Sequence, residues 1–173
     1  TLLMTDKTAA LEKTPADRAL KLNVHGAGNY RVEYDEPSWE LLLKSLPKFD
    51  VEDRVNLMSD AWALVQAGHA PVSLYLGLIE KLPPSTDLAE CEQIINVFKF
   101  VNGLLAGTPE REKFQRYAQS LLRPGFATLG WEPKPDEPSN AGRLRASLIG
   151  ALGDLNDSEI IAGSVEHFEK YLA

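Results

Sequence analysis

The 173-residue chain contains one cysteine, Cys91, and three histidines, His25, His69 and His167. A lone cysteine excludes an internal disulfide framework, and a reducing compartment, the cytoplasm, is its simplest home. The histidines are scattered, and no H-E-x-x-H places two imidazoles on one helical turn. In "VEHFEKY" (Val165–Tyr171), His167 has carboxylates nearby but no second histidine at helical spacing, so a surface helix is the expected reading. G-x-S-x-G and the P-loop are also lacking. No apolar run reaches the ~18 residues of a membrane-spanning helix. The opening "TLLMTDKTAAL" lacks the ordered regions of a signal peptide. Net charge is −7, without the clustered Lys and Arg of a nucleic-acid or anionic-lipid surface. Neither nucleic acid nor membrane is expected as a partner.

Hydrophobic pattern is well represented. Apolar residues make up 44% of the chain, enough for a real core. Residues 1–35 have strand character. Leu2–Met4 and Thr8–Leu11 are short and weak. Leu20, Leu22 and Val24 alternate with polar neighbours, as do Tyr30, Val32 and Tyr34. "HGAGN" between them reads as a hairpin turn, because a phosphate cradle needs a helix after the glycines and here a strand pattern follows.

From Glu36 the period becomes helical. Pro37 suits a first turn, and Asp50 can cap a second helix running to Gly68 with the stripe Val51, Val55, Met58, Trp62, Val65. Pro71 opens a third helix that ends before Pro83-Pro84. A fourth runs from about Asp87 to Ala106, with Cys91 on its apolar row. A fifth follows Thr108-Pro109, and Pro124 either kinks it or starts another. A sixth carries Leu144, Leu148, Ala151 and Leu155. Asn156 with Glu159 resembles a capping box before the last helix. Six or seven amphipathic helices with short connections predict a mainly α fold, an irregular α-solenoid of HEAT/armadillo type without a self-similar repeat. Both ends look like cuts through elements, so a fragment of a larger protein is expected.

Two arginines stand out. On a wheel of about 100° per residue, Arg54 falls inside the apolar arc of its helix and Asp53 on the polar side. Arg145 falls beside Ile149 and Leu152, whereas Arg143 faces away from the Leu144–Leu148–Ala151 stripe. An inward guanidinium needs a partner. Arg54 and Arg145 therefore form structural ion pairs between elements, or grip a peptide carboxylate on a concave surface. Cys91 on an apolar row reads as core, and the Asp136-Glu137 pair as solvated loop.

"LGWEPKPDEPSNAGRLRASL" (Leu129–Leu148) carries three prolines within six residues. A flexible linker would favour Gly and Ser and would not need Trp131. Pro135 and Pro138 satisfy P-x-x-P literally. A stiff internal crossing is the better account, with Trp131 anchored in the core and a new helix delivering Arg145 inward.

Three segments together resemble the large zinc aminopeptidases that include the puromycin-sensitive and endoplasmic-reticulum enzymes. "LKLNVHGAGNYRVEYDEPSWELL" is similar to that family's junction strand, K-L-N-x-x-x-x-G-x-Y-R-V-x-Y, which closes a β-sandwich before a helical C-terminal domain. "DRVNLMSDAWALVQAG" is similar to its D-R-x-x-L-x-x-D-x-x-x-L-x-x-A-G helix. "LGWEPKPDE" is similar to L-G-W-x-P-K-P-x-E, which precedes a Leu-Arg helix in which Arg145 takes the arginine's place. "DEPSNAGRLR" departs from the family, where Gly, His or Leu often follow the Trp motif.

The resemblance implies that 1–35 holds the last strands of a truncated β-sandwich and 36–173 the first part of the helical domain. It implies no catalytic, cofactor or metal residue here, with zinc in a catalytic domain elsewhere in the parent. The parent's partners would be peptide substrate and, for this segment, its own catalytic and β-sandwich domains. In relatives the helical domain caps the cleft and limits peptide access. A free-standing helical interaction module on the same scaffold is the alternative.

Overall fold

The computed structural model describes residues 18–173. Seven α-helices follow one another among them. α1 (Glu36–Ser45) begins at Asp35, whose side chain accepts the Ser38 N–H at 3.0 Å. Such a cap satisfies a backbone donor that the first helical turn leaves unpaired. A 3-10 turn at Leu46–Lys48 leads into α2 (Val51–Gln66). Asp50 occupies the N-cap position there without a side-chain cap bond. α3 (Val72–Ile79) starts after Pro71, and α4 (Leu88–Leu104) is capped by Asp87, which accepts the Glu90 N–H.

α5 (Arg111–Leu129) runs unbroken through Pro124, so this proline neither divides the helix nor starts another. Proline inside a helix costs about 3 kcal/mol, since it lacks an N–H and crowds the preceding turn. Packing against α6 (Ala141–Asp154) through buried Leu122 and Leu148 offsets that cost. α7 (Ser158–Leu172) is capped by Asp157, which accepts from Glu159 and Ile160 N–H. The capping box expected from Asn156 and Glu159 is therefore not formed: the N-cap is Asp157, and the residue three on is Ile160, which has no carboxylate to reach back. Asn156 sits at φ 60°, the left-handed position that ends α6.

α2 packs on α4 and α4 on α6, forming one row. α3, α5 and α7 attach to the same row beside α2, α6 and α6. The core runs along it through Leu57, Met58, Phe98, Leu148 and Leu152. Phe98 meets Phe114 and Tyr117 edge-on, with centroids 5.7 and 6.2 Å apart.

The strands expected at Leu20–Val24 and Tyr30–Tyr34 are not formed among the described residues. Val24–Gly26 makes a 3-10 turn against α2, and residues 31–35 are extended without a ladder. A strand needs a partner for its backbone groups, and none lies alongside. Leu20, Leu22, Val24 and Tyr30 are exposed, so the alternation does not face a core here; Val32 alone of the series is buried. The segments Leu2–Met4 and Thr8–Leu11 lie outside the described residues.

Candidate functional site

Lys21 and Arg31 of the first motif-like segment meet Asp53 and Asp60 of the second, while Glu137 of the third meets Arg145 on α6. Arg54 lies 8% exposed on α2, facing α4. Its Nε donates to Glu90 Oε1 at 2.8 Å and its Nη2 to Glu90 Oε2 at 3.2 Å. Its Nη1 donates to the Phe49 carbonyl at 2.6 Å. The guanidinium thus bridges α4 and the turn before α2 in bidentate geometry. The Glu90 carboxylate raises the Arg54 pKa further, against the opposing effect of burial.

Arg145 is 6% exposed and ties the proline crossing to α6. Its Nη2 donates to Glu137 Oε2 at 2.6 Å and its Nε to the Gly130 carbonyl at 3.0 Å. Glu137 is thus not a free loop acid, as its polar surroundings in the sequence implied. The hydrogen bond from Arg145 holds its carboxyl below the ordinary value. Trp131 at the start of the crossing meets Phe126 edge-on at 5.2 Å and stacks on His167 of α7 at 4.7 Å. A Cβ on Gly163 would come within 2.3 Å of the Trp131 ring, so this glycine provides the ring's seat. Arg143, by contrast, points outward and pairs with Glu92 at 2.9 Å.

A second group of contacts fastens residues 18–35 to α2. Asp53, expected on a polar face, is 7% exposed. Its Oδ1 takes the Lys21 ammonium at 3.2 Å and the His25 backbone N–H at 2.7 Å. Lys21 also donates to Asn56 Oδ1 at 2.8 Å. About two turns further along α2 the contacts end at Asp60, 1% exposed, which receives Arg31 at 3.3 Å. Asp60 Oδ2 is buried without a partner, and desolvation raises the pKa of this carboxyl. Asn23, in the left-handed region at φ 51°, closes the loop by accepting the Gly28 N–H at 2.6 Å and donating to the Gly28 carbonyl at 3.0 Å. Period-two alternation pointed to strands, yet the polar residues between the apolar ones make this clasp. The paired signal was legible only as basic residues at 21 and 31 facing acids at 53 and 60, with no indication of their registry.

Among the described residues, His25, Asp50 and Asp53 form a His/Asp group whose ligand atoms lie within 4.8 Å of one another. It does not fit a zinc centre. It offers a single imidazole, and Asp53 is already occupied by an ammonium and a backbone N–H. Cys91 is buried on α4, and burial pushes its thiol up to about 11, away from thiolate chemistry.

Two cavities, each of about 500 Å³, flank the row. One lies between the α3–α4 loop and α5, and the other beside Trp62 and Phe100 over Gln93 and Asn96 of α4. No helix among the described residues is long and apolar enough to cross a membrane.

An amphipathic helical array whose motif charges join one element to the next defines a scaffold class of domain. The chain belongs to the ERAP1-like C-terminal domain family, which matches residues 19–173 and forms the C-terminal region of M1-type aminopeptidases. It is 27% identical over 173 residues to the alanine/arginine aminopeptidase of Saccharomyces cerevisiae, covering 99% of this chain and 20% of that protein. It is 27% identical over 164 residues to the glutamyl aminopeptidase of Mus musculus, covering 90% and 17%. Aminopeptidase M1-D of Oryza sativa subsp. japonica is 30% identical over 154 residues, covering 87% and 18%. The chain thus spans about a fifth of the length of these curated relatives.

Proposed function

We propose that the chain is a non-catalytic segment of a zinc-dependent, cytoplasmic aminopeptidase, a hydrolase that releases N-terminal residues from peptides. In the parent, zinc belongs to a separate catalytic domain. The helices continue as an α-solenoid that caps the cleft and restricts peptide access. Residues 1–35 would close a β-sandwich only beside the remaining strands of that domain. Arg54 and Arg145 hold the scaffold together through Glu90 and Glu137.

The observation that carries this reading is the clasp. Lys21, Arg31 and the His25 backbone fix the incoming segment to Asp53, Asp60 and Asn56 on α2. Such a joint transmits the position of a preceding domain to the helical array, which is what a cap over a cleft requires. Reading the coding sequence upstream tests it. An H-E-x-x-H a few hundred codons before Thr1 is expected, and a start codon adjoining Thr1 would sink the proposal. The purified 173-residue chain is also expected to leave aminoacyl-anilides intact.

The second reading, a free-standing interaction module, has one observation in its favour. Ile161, Val165, Phe168 and Leu172 present an exposed apolar face on α7. In the parent that face is covered by a following helix of the array. Stable heterocomplexes of a natively terminated chain would favour the module instead.

A further inference from the structure

The cavity between the α3–α4 loop and α5 is independent of the aminopeptidase reading and touches the buried ion pairs only at Glu90. Its volume of about 500 Å³ lies within the range of small-molecule sites. Ile79, Leu82, Pro83, Ile94 and Leu121 give it apolar walls. The wall contributed by α5 breaks local rules. Pro124 and Gly125, the two poorest helix formers, stand side by side in the interior of that helix, and both line the cavity. Packing does not demand the glycine, since a Cβ there would make ordinary contact with Leu148 at 3.5 Å. Departures of this kind concentrate where a site needs them.

The proline has a chemical consequence. Ser120, Pro124 and Thr128 are spaced four apart and share the cavity-facing side of α5. Pro124 has no N–H, so the Ser120 carbonyl loses the donor it would have met four residues on. The Ser120 and Thr128 hydroxyls already donate to the Tyr117 and Pro124 carbonyls at 2.7 and 3.0 Å, which leaves their oxygens as acceptors. Glu80 adds a carboxylate at the rim. Glu90, the other lining acid, is neutralised by Arg54. Among the described residues no Lys, Arg or His lines the cavity. Ser85 and Thr86 add hydroxyls, and the Glu80 carboxylate is the one lining charge without an ion-pair partner among the described residues, so the cavity's net charge is negative.

We propose that this cavity binds a small apolar amine, with the hydrocarbon against Leu82, Ile94 and Leu121 and the ammonium donating to Glu80 and the Ser120 carbonyl. Phenethylamine is the probe, compared with 3-phenylpropanoate, which has the same ring on a chain ending in the opposite charge. Titration calorimetry on the full chain reads affinity. The amine is expected to bind about tenfold more tightly than the carboxylate. Glu80→Gln at the exposed rim should erase that preference while apolar binding persists. Ser120→Trp, also at an exposed position, should fill the cavity and abolish binding with the helical circular dichroism intact. Equal binding of the two probes overturns the proposal. So does amine binding that survives Ser120→Trp.

Discussion

Truncating Glu90 to alanine isolates the Arg54 guanidinium inside the array. In the intact protein Arg54 is 8% exposed and Glu90 1%, joined by hydrogen bonds of 2.8 and 3.2 Å. Removing one partner of a buried pair costs about 3–5 kcal/mol, because the other charge stays desolvated. Two features put Glu90→Ala near the lower end. The Phe49 carbonyl keeps its bond to Nη1, and Glu90 borders a cavity from which water can reach the vacated space. A loss of about 3 kcal/mol corresponds to a fall in melting temperature of about 6–12 °C for a domain of this size. Glu90→Gln keeps volume and an acceptor and should cost about half as much. Arg54→Met with Glu90→Leu should return to within about 1 kcal/mol of the parent, since a packed apolar pair replaces both charges. Urea denaturation of the two single variants and the double closes the cycle. A Glu90→Ala loss below about 1 kcal/mol, or a double variant as unstable as the summed singles, would refute the assignment of a buried, mutually dependent pair.

Other outcomes follow from the same geometry. Gly163→Ala drives a methyl into Trp131 and should destabilise by about 1–3 kcal/mol, with a shift in tryptophan fluorescence. Asp60 has a raised folded-state pKa, so its protonated form favours folding. Its contribution is complete below the unfolded-state value and is lost as pH rises through the folded-state one. Asp60→Asn should therefore flatten the pH dependence of stability just above the ordinary aspartate range. Glu137 has the opposite sign: its pKa is lowered by Arg145, so its contribution is present above the unfolded-state value and lost as pH falls through the folded-state one. Glu137→Gln should reduce the fall in stability on acidification, measured by thermal denaturation across an acid series. In the full-length parent, Arg31→Ala with Asp53→Ala should loosen the clasp and alter peptide-length preference, with the hydrolysis of single-residue anilides as the reference.

Much of the array was legible in the chain itself. Apolar spacing located every helix, and Pro71, Asp87 and the Thr108-Pro109 pair marked the starts of α3, α4 and the approach to α5. The inward positions of Arg54 and Arg145 followed from the wheel alone, as did the outward one of Arg143. These are local properties, set by a 3.6-residue period and by capping chemistry. The order of the three motif-like segments also carried the family membership.

Tertiary structure decided the rest. Asp53 and Asp60 occupy faces that a wheel assigns to solvent, yet residues 18–35 cover α2 there and bury both. Pro124 lies within one continuous helix because contact with α6 outweighs a local penalty. Glu137 and Trp131 sit in a stretch rich in proline, and only their partners on α6 and α7 reveal a fastened crossing. In each case the deciding contact joins residues distant along the chain. Periodicity measures which face is apolar; it holds no record of what comes to lie against the polar one.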